Sequence, residues 1–104
     1  MIAVLVRFSY DGGFSEERLR QIAEGARAMF EGMPGLRSKA FTIDTESQQA
    51  LNFYVWDSEE AARAFFSEQL VAQVTEIYGV QPSVQFLDLA ALVENGVGAA
   101  VAGK

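Results

Sequence analysis

Two runs of this chain, Ala3-Val4-Leu5-Val6-Arg7-Phe8 and Asn52-Phe53-Tyr54-Val55-Trp56, are apolar at both odd and even positions. Successive side chains of a strand point to opposite faces of its sheet, so such runs require cover on both sides. Helices packed on one face meet half of that demand. The other face needs a second layer, and a second copy of the same chain, sheet against sheet, supplies it at least cost. A homodimer is therefore expected.

The rest of the chain fits around these strands. Ile2 to Tyr10 reads as a first strand, closed by Asp11-Gly12-Gly13. Ser15-Glu16-Glu17 is a helix start, a hydroxyl cap followed by acids where the helix dipole favours them. Leu19, Ile22, Ala23, Ala26, Phe30 and Met33 then recur at spacings of three and four, one apolar stripe that Pro34-Gly35 ends. Leu36–Thr45 and Ala50–Trp56 form an antiparallel hairpin across Glu46-Ser47-Gln48-Gln49. Asp57 or Ser58 caps the next helix, which kinks near Glu68-Gln69 and stops at Gly79. Val80–Leu87 is a last strand, with Pro82 marking an edge or a strand start. Asp88–Glu94 is expected as a short helix, and 95–104 as a flexible Gly/Ala-rich tail. The order is β-α-β-β-α-β, an α+β ferredoxin-like unit with one antiparallel four-stranded sheet spanning 1–94.

Composition narrows the chemistry. A formal charge of −6 offers no basic patch for nucleic acid and no attraction to anionic membranes. With no cysteine there is no disulfide, thiolate nucleophile or thiolate metal site. With no histidine, the usual general base and the usual haem ligand are gone as well. Any reaction must use carboxylates, Tyr, Lys, Arg, Trp or the acidity of the substrate itself. No apolar run approaches the ~20 residues that span a bilayer, and the chain opens directly on a strand, so a cytoplasmic protein is expected.

Pro34-Gly35-Leu36, then Tyr54-Val55-Trp56-Asp57-Ser58-Glu59-Glu60-Ala61, then Ala64-Phe65-Phe66, in this element order, resemble the dimeric α/β-barrel superfamily. Within it the chain is similar to the small monooxygenases of the antibiotic-biosynthesis type. The resemblance implies a pocket between helices and sheet in each subunit, lined by the aromatic residue at Trp56 and by a polar first-strand residue at Arg7. It also implies cofactor-independent oxygenation of a small aromatic or polyketide-like substrate, whose own enolate or phenolate reduces dioxygen. Haem-degrading relatives use a histidine that this chain lacks.

The candidate catalytic residues are Arg7, Asn52, Tyr54 and Trp56. Arg7, set among apolar neighbours, holds an anionic substrate, pairs with an acid of a partner subunit, or reaches solvent at an edge. Asn52, Tyr54 and Trp56 share one strand face. Asn52 offers an amide to an oxyanion, or is an ordinary hairpin residue. Tyr54 and Trp56 stack on a ligand, or fill core beside Phe65. Phe30, Lys39, Phe65 and Tyr78 are candidate substrate contacts; the aromatic three read equally as packing, and Lys39 as a solvated lysine or a group that steadies an anionic intermediate. The acids Asp57, Glu59 and Glu60 serve capping and have no metal-ligand spacing, so no metal or cofactor is expected. A non-catalytic ligand sensor and an isomerase on the same scaffold are the alternatives.

Overall fold

The computed structural model describes residues 1–95, so the expected tail beyond Asn95 lies outside the described residues. The chain runs β1 (Ile2–Ser9), α1 (Glu16–Phe30), β2 (Leu36–Asp44), β3 (Gln49–Trp56), α2 (Glu59–Phe65), α3 (Glu68–Tyr78) and β4 (Ser83–Asp88). One antiparallel four-stranded sheet is ordered β2-β3-β1-β4, the ferredoxin-like arrangement, with the long first strand inside.

Local chemistry sets the helix boundaries. The hydroxyls of Ser15, Ser58 and Ser67 each accept a hydrogen bond from a first-turn amide, those of Arg18, Ala61 and Leu70. The third cap begins α3 as a new helix after Phe66, which is the kink expected near Glu68. Gly79, at φ 83°, closes α3 in the left-handed conformation. The segment after β4 is not helical, a correction to the reading of Asp88–Glu94. Instead Glu94 pairs with Arg37 at 3.7 Å, so this segment runs from the β4 edge across to β2.

Register decides which side chains meet the helices. Val4 lies opposite Tyr54 and Phe86, and Val6 opposite Asn52 and Val84; Lys39 and Phe41 of β2 align with Tyr54 and Asn52. These residues share the covered face, where Val4, Val6, Phe8, Tyr54 and Trp56 are buried. On the opposite face Ala3 and Val55 are buried, whereas Phe53 is 39% exposed and Leu5 and Leu51 are only half-buried.

Gly35 fastens the α1–β2 turn to this core. At φ +83° it occupies a region that favours glycine, and its carbonyl accepts from the Asp57 amide at 2.8 Å. An added Cβ would stand 3.1 Å from Cβ of Ala61 and 3.8 Å from the Trp56 ring. Gly35→Ala is expected to lower stability by about 1–3 kcal/mol, read as a shifted urea midpoint at unchanged slope.

Candidate functional site

Between the sheet and the helices lies a cavity of about 380 Å³, a size suited to a small organic ligand. Its floor is Val6 and Phe8 of β1, Phe41 of β2, Asn52 and Tyr54 of β3, and Val84 of β4. Its walls are Ile22, Ala26 and Phe30 of α1 and Leu70 and Val74 of α3, with Phe65 and Phe66 at the α2–α3 junction. Met29 and Ile77 line it too, yet are 58% and 48% exposed, so the mouth opens between α1 and α3 with apolar lips.

A short polar chain interrupts the apolar lining. Asn52 is buried, and its amide Nδ2 donates to Tyr78 Oη at 3.1 Å. Because the Tyr78 oxygen accepts that bond, its own proton is left to donate elsewhere. Phe8 stacks on Tyr78 with centroids 3.7 Å apart and rings 6° from parallel. Tyr10 Oη donates to the Tyr78 carbonyl at 2.7 Å, fixing the end of α3 to the sheet. Burial raises the Tyr78 phenol above its ordinary value, with the Asn52 bond opposing that rise; burial, then the neighbouring Tyr78, raises Tyr54. Both phenols stay protonated at neutral pH and are donors rather than bases.

Lys39 is the single charged residue among those lining the cavity. Its Nζ lies 3.5 Å from the ring centroid of Phe30, 4.1 Å from Phe41 and 4.4 Å from Tyr54. Burial pushes its ammonium down to about 7 from 10.5. The unfolded chain therefore binds a proton that the folded chain releases between those two values. Stability is expected to rise with pH through this window, and Lys39→Met to flatten the rise; thermal melts from pH 6.5 to 10 check it.

The structure brings Phe30, Lys39, Asn52, Tyr54, Phe65 and Tyr78 to one cavity. Arg7 and Trp56 are not among its lining. Arg7 lies opposite Leu51 and Ser83, so it faces away from the helices, as odd-numbered positions of β1 must. Trp56 has the right parity but sits at the strand end, 2% exposed behind Tyr54, Phe65 and Phe66, with ring centroids 6.2, 5.1 and 6.1 Å away. Its Nε1–H has no hydrogen-bond partner among the described residues. Sequence reasoning passed over the mouth residues Met29 and Ile77 and the lining glycine Gly25. Gly25 carried a signal, since glycine inside a helix needs a reason.

Among the described residues no cluster of three His, Cys, Asp or Glu side chains is placed to hold a metal ion. No helix among them is long and apolar enough to cross a membrane.

Comparison with known proteins places this geometry among solved structures. A monooxygenase of Streptomyces coelicolor, solved in complex with nanaomycin D, is 21% identical; the match covers 91% of this chain and 92% of that one, with a TM-score of 0.68. A cofactor-independent oxygenase of Streptomyces nogalater is 13% identical over 90% and 97% of the two chains, with a TM-score of 0.64. A dimeric ferredoxin-like protein of unknown function from Thermobifida fusca is 15% identical over 85% and 90%, also with a TM-score of 0.64. At these identities the likeness is one of fold. No curated protein sequence matches the chain. Residues 4–86, well over half of the sequence, match the family model described as "Putative mono-oxygenase ydhR", and the chain belongs to that family.

Proposed function

We propose that the cavity binds a planar hydroxyarene, a quinol or polyketide-like aromatic, and oxygenates it with dioxygen without a cofactor. The observation that carries this is the Asn52–Tyr78 hydrogen bond at the floor of a largely apolar cavity. An apolar slot of this size suits a flat aromatic, and the polarised Tyr78 hydroxyl is a donor for the oxygen on which negative charge develops. The ionised substrate transfers electrons to dioxygen and forms a carbon–oxygen bond as a hydroperoxide. Loss of water then leaves a quinone, one oxygen atom in the product and the other in water. The protein encloses, orients and stabilises the anion. Membership of a monooxygenase family supports this reading, as do the solved relatives with nanaomycin D and with cofactor-independent oxygenase activity.

Oxygen uptake with naphthols and quinols tests the reading. Uptake matched mole for mole by quinone formation is expected. Saturable binding with no uptake above buffer would favour a ligand sensor, and turnover that persists without oxygen would favour an isomerase.

The functional unit in this reading is a homodimer joined through the uncovered sheet face. Phe53 at 39% exposure, with half-buried Leu5, Leu51 and Leu87, forms an apolar surface in the middle of that sheet. Arg7 lies on the same face, so its role is at the interface, where a partner's acid or solvent takes its charge. The dimeric relative from Thermobifida fusca supports this arrangement. Phe53→Asp places a charge at its centre and is expected to yield monomers at micromolar concentration in analytical ultracentrifugation. A wild-type monomer under the same conditions would remove the interface.

A further inference from the structure

The site as described lacks a proton acceptor, since both cavity phenols are donors and the chain has no histidine. We propose that Lys39 is that acceptor, taking the hydroxyl proton of a hydroxyarene seated in the apolar cavity and passing it to solvent through a polar hollow on its other side. This rests on the cavity being a hydroxyarene site, but not on the oxygen step.

Position carries the inference. Lys39 borders two spaces: the apolar cavity, and a more polar hollow of about 570 Å³ on the far side of Phe30 and Phe41. The residues common to both are Phe30, Lys39 and Phe41, so the amine stands in the partition with a ring on either side. No carboxylate among the described residues makes an ion pair with it. A half-buried lysine without a counter-ion gives up its proton more readily than an exposed one, and its partial burial alone accounts for its lowered value. As a free amine near neutral pH it can accept a proton, which an ordinary surface lysine cannot.

The step balances simply. The substrate O–H bond breaks, an N–H bond forms on Nζ, and the electron pair stays on oxygen. The resulting ammonium lies against the faces of Phe30, Phe41 and Tyr54, which stabilise a cation, and the phenolate is held beside it in a medium where opposite charges attract strongly. The other titratable groups around the amine are Tyr54 and Tyr78 from the cavity, and Glu24, Arg27, Glu31 and Arg37 lining the hollow. Arg27 is engaged by Glu24 and Glu31 at 3.8 and 3.7 Å, and Arg37 by Asp57 at 3.6 Å, so the hollow offers paired charges and a solvated exit for the proton.

The test uses 2-naphthol under argon, where no oxygenation occurs. Bound to wild-type protein, it is expected to ionise about 1–3 pH units below free naphthol, the range an adjacent cation produces, read from naphtholate absorbance. Lys39→Met and Lys39→Gln, which remove the amine and keep most of the side chain's length, are expected to bind naphthol while losing that shift. The proposal is overturned if wild-type protein shows no saturable binding, if bound naphthol ionises no more readily than free, or if either variant keeps the shift. Oxygen uptake separates the two readings. Ionisation by wild-type protein without uptake removes the oxygenase and leaves Lys39 as acceptor; unchanged uptake and pH profile in Lys39→Met removes Lys39 and leaves the oxygenase.

Discussion

Asn52→Ala is expected to lower oxygen uptake about 10²–10³-fold, the loss that follows removal of one preorganised donor from an oxyanion site. The amide of Asn52 fixes the Tyr78 hydroxyl by donating to its oxygen, so that the phenol proton is presented rather than consumed. Without the amide, the phenol rotates freely and loses the polarisation that strengthens it as a donor. Tyr78→Phe removes the proton itself and is expected to fall into the same range. Because the two act in series, the double variant is expected to be scarcely worse than either single one. Losses that multiply in the double variant would show two independent roles and break the donor chain. Naphthol binding should change far less than turnover in all three, since the apolar walls that hold the ring are untouched.

Trp56→Ala is expected to cost about 3–5 kcal/mol of stability, the usual penalty for emptying a large aromatic site in a core. Domains of this size are stable by about 5–15 kcal/mol, so the variant should lose a large part of that margin and melt at a clearly lower temperature. The effect is large because Trp56 joins three parts of the chain. It packs against Tyr54 of its own strand and against Phe65 and Phe66 at the α2–α3 junction, and Gly35 closes over its edge. Trp56→Phe keeps most of that volume, and its indole N–H forfeits no hydrogen bond within the described residues, so a milder loss is expected. Trp56 is the only tryptophan of the chain, so unfolding of both variants is best followed by circular dichroism. A Trp56→Ala protein as stable as wild type, yet inactive, would restore Trp56 to the site.

The contrast between these two residues shows what was legible beforehand. Asn52, Tyr54 and Trp56 were placed on one face by alternation alone, and the register confirms it. Arg7 alternates with Val6 and Phe8, and the register of β1 on β3 puts it on the face away from the cavity, whereas the likeness to a family in which a first-strand polar residue enters the pocket pointed the other way. A strand cannot turn one side chain to the opposite face without a bulge. The one bulge of this sheet lies between Leu36 and Ser38 on β2, far from Arg7. The Ser15 cap, a cap at Asp57 or Ser58 and a break near the start of α3 were likewise readable, since each depends on contacts within a few residues. The helix expected at Asp88–Glu94 is absent: Asp88 is the last residue of β4, held by pairing with β1, and Glu94 reaches Arg37, a partner far away in sequence.

By itself the sequence determined the order of elements, the faces of the strands and the absence of histidine and cysteine chemistry. All of these follow from residue identity and short-range periodicity. Only the tertiary structure decided that Trp56 closes the core while Tyr54, two residues earlier, borders a cavity, and that Tyr78 meets Asn52 at a sequence separation of 26. It also turned Lys39, by composition one more surface lysine, into an amine walled by three rings. The physical reason is that depth, desolvation and hydrogen-bond partnership belong to the space between elements, and that space exists only once helices and sheet have packed.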